Sequence, residues 1–109
     1  MIEISLCMIV KNEEKVLARC LDSIADLMEE IIIVDTGSTD DTKKIAAKYT
    51  EHIYDFEWID DFSAARNFSF SKATKDYIYV ADADEVLDEE NRQFREELDE
   101  AYEKWMELE

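Results

Sequence analysis

Nine residues toward the end of the chain, Tyr77-Ile-Tyr-Val-Ala-Asp-Ala-Asp-Glu85, restrict the possible folds most sharply. Tyr77 to Ala81 is an unbroken apolar run, the signature of a buried β-strand. It ends on Asp82, Asp84 and Glu85. In an open α/β sheet, ligands bind outside the carboxyl ends of the strands. Two aspartates one residue apart at such an edge can hold a divalent cation against a phosphate. The spacing alone says little, because thirteen aspartates in 109 residues give about one or two Asp-x-Asp pairs by chance. The information lies in the placement, since a chance pair falls more often in a solvated helix or loop. A merely solvated strand end is the competing explanation.

Upstream, apolar runs alternate with amphipathic stretches. Ile2 to Val10 reads as a central parallel strand buried on both faces. Asn12 is suited to cap the following helix, and Glu13 and Glu14 suit its first turn. Val16, Leu17, Cys20, Leu21, Ile24 and Leu27 then recur at helical spacing, with an end expected near Met28. Ile31 to Val34 is a second buried strand, closed by Asp35-Thr-Gly-Ser-Thr-Asp-Asp41. Gly37 is the only glycine, so a tight turn or a close backbone approach is expected there. Ser38 and Asp41 have capping-box spacing and open a helix with Ile45, Ala46 and Tyr49. Capping does not explain Asp35, which closes a buried strand.

His52 to Phe56 is a short third strand, and Glu57 to Asp61 a loop anchored by Trp58 and Phe62. Ser63 to Ala73 reads as a helix with Ala64, Ala65, Phe68 and Ala73 inward. Arg66 falls in its first turn, where a cation opposes the helix dipole. Asp88 can cap a last helix whose Phe94, Leu98, Ala101, Tyr102, Trp105 and Leu108 form a stripe close to a heptad. Packing of that helix on the domain's own sheet is expected, with homodimerisation through it as the alternative.

This alternation predicts an α/β fold, a three-layer sandwich with a mostly parallel sheet of about four strands and a C-terminal amphipathic helix. One domain is expected over 1–109, with 88–109 as the terminal helix. No stretch of 18 apolar residues suggests a transmembrane segment, and the N-terminus shows no secretory signal. Cys7 and Cys20 read as buried reduced thiols, which points to the cytoplasm. The net charge of −17 argues against nucleic acid or an anionic membrane surface as partner. So acidic a chain can hold an anion only through a metal or a few placed cations. Asp35, Asp82 and Asp84 converge on one sheet edge, which predicts a nucleotide or phosphate-ester site with a divalent metal.

Four segments resemble family 2 glycosyltransferases of the GT-A fold. They are Ser5-Leu-Cys-Met-Ile-Val-Lys-Asn-Glu-Glu14, Ile31-Ile-Ile-Val-Asp-Thr-Gly-Ser-Thr-Asp40, Asp61-Phe-Ser-Ala-Ala-Arg-Asn67 and Val80-Ala-Asp-Ala-Asp-Glu85. They occur in the family's order and spacing, over about residues 3 to 90. The resemblance implies the Rossmann-like half of a GT-A fold and a site for a nucleotide-diphosphate sugar, a UDP-sugar above all. Ile9 to Asn12, Val10 among them, would then line the base. Asp35 would contact the base or ribose, beside Thr36, which replaces a second acid carried by many relatives. Arg66 would approach the nucleotide. Asp82 and Asp84 would be the DxD pair, holding Mg2+ or Mn2+ on the diphosphate, with Asp82 also near the nucleotide.

The chain is about half as long as the family's catalytic domains. No residue is identified as catalytic: Glu89, Glu90 and Glu96 lie on a solvated helix, which neither places nor tunes a base. The expectation is a donor-binding half, inactive in sugar transfer by itself. Two other readings stay open. Asp82-x-Asp84-x-Val86 after an apolar strand also fits the first motif of haloacid-dehalogenase-like phosphatases, although only Lys104 follows as a lysine. A non-catalytic nucleotide-binding or dimerisation module is the other.

Overall fold

The computed structural model describes residues 2–108. Four strands, β1 (Ile4–Val10), β2 (Glu30–Asp35), β3 (Ile53–Asp55) and β4 (Tyr77–Val80), form one sheet in the order β3-β2-β1-β4. Every neighbouring pair is parallel. The register sets Val10 beside Asp35 and Asp35 beside Asp55, so three strand ends lie level at the carboxyl edge. Strands are added outward from β1 to β3, and then β4 joins the opposite side of β1. The direction of growth therefore reverses between β1 and β4, the kind of place where open sheets bind ligands.

Alternation along β1 and β2 divides their side chains between two cores. Leu6, Met8, Val10, Ile31 and Ile33 face α1 (Leu17–Ile24), with Cys20, Leu21 and Ile24, and α2 (Thr42–Ala46), with Ala46. Cys7, Ile32 and Val34 face the other way, packed by Phe68, Phe70 and Ala73 in and after α3 (Phe62–Lys72). The expected three layers are present. Burial pushes both thiols up to about 11, so Cys7 and Cys20 stay protonated at neutral pH. Both are free cysteines.

Several local expectations are corrected. Asn12 does not cap α1: it sits at φ 53, and its Oδ1 accepts from Thr39 N–H at 2.8 Å. Helix α1 begins only at Leu17, without a side-chain cap. Ser38 caps nothing either, because its Oγ accepts from Asn12 N–H at 2.9 Å. Glu14 Oε2 takes the Asp41 N–H at 3.1 Å, the role the capping box assigned to Ser38, and α2 has no side-chain cap. Gly37, at φ 117, fulfils its expectation. Trp58 and Phe62 are exposed, not buried anchors. Asp61 caps α3 by accepting from Ala64 N–H, so Arg66 lies one turn inside the helix. The strand expected over Tyr77 to Ala81 ends at Val80 and is an edge strand, with Val80 52% exposed, because β4 has a partner on one side only.

The final helix α4 (Phe94–Glu107) follows a 3-10 turn at Asn91–Gln93, whose first N–H is accepted by Asp88 Oδ1. It docks by its first turns. Phe94 stacks on Tyr79 with centroids 4.9 Å apart. Arg95 donates to the carbonyls of Leu27 and Ile2, at 2.5 and 2.6 Å, and to both oxygens of Glu29. Packing on the domain's own sheet holds for these first turns only, since Trp105 is 56% and Leu108 87% exposed. The stripe runs past the end of the sheet it packs on. No helix among the described residues is long and apolar enough to cross a membrane.

Candidate functional site

The loops after β1 and β2 are tied together at the carboxyl edge. Asn12 reaches the Thr39 N–H, and Ser38 Oγ accepts from the Asn12 N–H. Thr42 Oγ1 accepts from Glu13 N–H at 2.8 Å, and Glu14 Oε2 accepts from Asp41 N–H at 3.1 Å. Polar side chains at these positions therefore build a single rigid ledge from two loops. Val10 has its side chain in the core, while its carbonyl accepts from Thr36 N–H at 3.0 Å and Thr36 Oγ1 at 3.3 Å.

Asp35 is the centre of this ledge and is only 2% exposed. Its Oδ1 accepts from Gly37 N–H at 2.9 Å and Ser38 N–H at 2.8 Å, an Asx-type turn. The positive φ of Gly37 lets the two N–H groups converge on one oxygen. Its Oδ2 is buried and has no hydrogen-bond partner. Buried acceptors are nearly always satisfied, so this oxygen calls for a donor. Asp35 also lines a hollow of about 420 Å³ with Thr36, Ser38, Lys43, Phe56 and Trp58. Lys43 pairs with Asp55 at 2.8 Å on its wall.

A second, smaller hollow of about 20 Å³ lies where β1 and β4 meet, lined by Ile9, Phe62, Arg66 and Asp82 among others. Arg66 holds its guanidinium over the Phe62 ring, 4.8 Å from the centroid. The fold thus brings Val10, Asn12, Asp35 and Thr36 into one cluster, and Arg66 with Asp82 into another. Asp84 lines neither hollow. It sits with Asp82 in a tight turn closed by Glu85 N–H donating to the Asp82 carbonyl at 3.0 Å. Both carboxylates are exposed and have no hydrogen-bond or ion-pair partner among the described residues. Helix α1 supports the turn from beneath: Cys20 Sγ donates to the Asp82 carbonyl at 3.6 Å, and Ser23 Oγ accepts from Leu87 N–H at 3.0 Å.

Larger hollows exist elsewhere. One of about 530 Å³ lies at the amino edge, by Thr50 and His52, and one of about 650 Å³ between β4 and α4. Size does not select the site; an unsatisfied buried acceptor at the carboxyl edge does. Sequence reasoning missed Lys43, Phe56 and Trp58 as its lining. The available signal was an aromatic-rich loop directly after a parallel strand, on the edge where ligands bind.

The architecture is that of the Rossmann-like α/β class, with acids and a glycine turn at the carboxyl edge. The chain belongs to glycosyl transferase family 2, which it matches over residues 5–101. It is 49% identical over 87 residues to a TPR repeat-containing protein of Synechococcus elongatus, covering 80% of this chain and 22% of that protein. It is 42% identical over 86 residues to the SPbeta prophage-derived glycosyltransferase SunS of Bacillus subtilis, covering 77% of this chain and 20% of SunS. Its fold is similar to glucosyl-3-phosphoglycerate synthase of Mycobacterium tuberculosis, with a TM-score of 0.67 and 25% identity over 78% of this chain and 36% of the synthase. Crystals of that synthase have held Mg2+ with uridine diphosphate, and Mn2+ with uridine-diphosphate-glucose. The chain spans about a fifth of the length of the two curated relatives and about a third of the synthase. Membership of this family displaces the phosphatase alternative.

Proposed function

We propose that these residues form the donor side of a glycosyltransferase site, which binds a nucleotide-diphosphate sugar, with uridine as the favoured base. The observation that carries this reading is buried Asp35, a residue of the carboxyl-edge hollow's lining whose Oδ2 has no hydrogen-bond partner. A base with an imide N–H supplies the donor that this oxygen lacks. Val10 and Asn12 fix the ledge, Thr36 orders the strand ends, and Arg66 offers a positive group on the phosphate side. The metal complexes of the synthase support the same assignment.

The donor set fits a hard divalent cation. Among the described residues, no protein group uses the carboxylate oxygens of Asp82 and Asp84, and no cluster of three or more potential ligands surrounds them. Mg2+ and Mn2+ are bound in this way when one or two carboxylates act with substrate phosphates and water. When bound, such a cation neutralises charge developing on the departing diphosphate. The chain's own contribution is to hold both carboxylates on a short turn braced by α1. Asp84→Ala is expected to lower UDP affinity in the presence of Mn2+ about tenfold or more, and to leave metal-free binding unchanged. Calorimetric titration with UDP, with and without Mn2+, measures both; equal loss in the two conditions would remove the metal from the proposal.

Glu89, Glu90 and Glu96 are exposed, and none lines the hollow beside Asp35. The 109 residues are therefore proposed as one donor-binding domain that transfers no sugar by itself, with a cytoplasmic setting suited to its free thiols. Metal-dependent transfer by the purified chain would overturn that statement. A second reading has its own observation, the exposed Trp105 and Met106 on α4 and Leu108 just after it. If α4 pairs with a second copy, light scattering will show a concentration-dependent mass that Trp105→Ala abolishes; a monomer at all concentrations ends this reading.

A further inference from the structure

We propose that Trp58 is the platform on which the base stacks, and that Asp60 is the positioning residue that holds the indole in place. This deepens the donor-site reading and rests on it. Trp58 lines the same hollow as Asp35 and is 41% exposed. A tryptophan so exposed at a concave site has its ring free for a ligand. Its single polar atom is already engaged, since Nε1–H donates to Asp60 Oδ1 at 3.0 Å. That bond restrains the side chain and leaves the π-face as the group on offer.

The backbone reinforces the arrangement. Asp60 adopts φ 57, the left-handed region that non-glycine residues seldom enter and that Asp tolerates better than most. This conformation bends the loop back so that a carboxylate two residues downstream meets the indole. The other aromatic group of the hollow, Phe56, is committed elsewhere: its ring packs on Phe68 with centroids 5.1 Å apart. Trp58 alone is unspent. A planar base presenting its edge to Asp35 and its face to Trp58 would be read by two independent contacts, one polar and one stacking. Stacking of this kind is tolerant of base identity, so Trp58 supplies affinity and Asp35 supplies the choice of base.

Trp58 and Trp105 are the only tryptophans, so Trp105→Phe leaves Trp58 as the sole indole reporter. In that background, UMP is expected to quench Trp58 emission along the same isotherm that calorimetry gives. Trp58→Ala should weaken UMP and UDP about tenfold, by equal factors, while Trp58→Phe keeps most of the affinity. Asp60→Asn retains an acceptor and should behave like wild type. Asp60→Gly removes it and should lower the anisotropy of free Trp58 and weaken UMP. A purely structural role would produce neither the rescue by Phe nor the matched losses for UMP and UDP. Bound UMP with silent Trp58, or full affinity in Trp58→Ala, overturns this proposal alone. Failure of the wild-type chain to bind UMP and UDP at millimolar concentration overturns the donor site and this inference with it.

Discussion

Asp35→Asn is expected to fold normally and to reverse the base preference of the site, from uridine to cytidine. Oδ1 of Asp35 accepts two backbone N–H groups, from Gly37 and Ser38. An asparagine must keep its carbonyl oxygen there, because its NH2 group would meet two donors. The NH2 group then takes the place of Oδ2, the buried atom without a partner. The site's open group changes from an acceptor to a donor, with almost no change in shape. Uracil offers N–H at the position where cytosine offers a lone pair. Leaving a buried polar group unmatched costs about 1–3 kcal/mol, so each protein should prefer its matched base by about 5- to 150-fold. Calorimetric affinities for UDP and CDP with Mn2+ measure the ratio in both proteins. The diphosphate and metal are common to all four titrations and cancel. An unchanged ratio would place the base away from Asp35.

The second large effect concerns stability. Arg95→Met is expected to destabilise the chain by about 3 kcal/mol, read as a lower midpoint in chemical denaturation. Arg95 is buried and binds both oxygens of Glu29 as well as two backbone carbonyls. Its Nε lies 3.5 Å from Asp99 Oδ2, an ion pair without hydrogen-bond geometry. Methionine fills the volume but leaves the Glu29 carboxylate with the Ile4 N–H alone and takes the donor from two carbonyls. The Glu29 side chain is 29% exposed, so water offsets part of the loss and the low end of the buried-pair range applies. Glu29→Gln should cost less, because it removes the charge and keeps an acceptor. The interaction has a pH signature. The hydrogen bond from Arg95 holds Glu29 below its ordinary value of 4.5. A carboxylate lowered in the folded state contributes stability that is complete above that value and is lost as the pH falls through the folded one. The pair's contribution is therefore full at neutral pH and declines below about 4.5. Protonation of other acids relieves the repulsion of a −17 chain at the same time, so the wild-type minus Arg95→Met difference is the quantity to follow. A difference that does not shrink on acidification would show that Glu29 is not its source.

The sheet was legible because its strands are written as apolar runs. β1 and β2 are buried on both faces, which gives a continuous pattern that no amphipathic helix produces. β4 is written in the same way, yet lies at an edge. Composition does not distinguish a central strand from an edge strand whose second neighbour is absent. Asp35 was legible from its place at the end of a buried strand. Its unpaired Oδ2 was not, since that depends on two N–H groups converging on the other oxygen. Asn12 and Ser38 were misassigned for a related reason. Both are good local caps, and local capping lost to hydrogen bonds between loops about 26 residues apart. Trp58 reads as an anchor in the sequence because large aromatic residues are usually buried. Only the three-dimensional arrangement shows that Phe56 fills that role against Phe68 and leaves Trp58 outside.

The strand order also bears on the sequence in which the two halves of the site can form. Central β1 pairs on one side with β2, where Ser5 meets Glu30, and on the other with β4, where Ile4 meets Tyr77. The first pairing closes a short loop and the second one nearly three times as long, which is entropically dearer and kinetically slower. The turn around Asp35, with its ties to Asn12 and Glu13, is complete within the first 42 residues. Asp82 and Asp84 reach their places only when β4 docks. A chain caught before that step would already possess the surface proposed to meet a base, and would still lack the one proposed to meet a diphosphate.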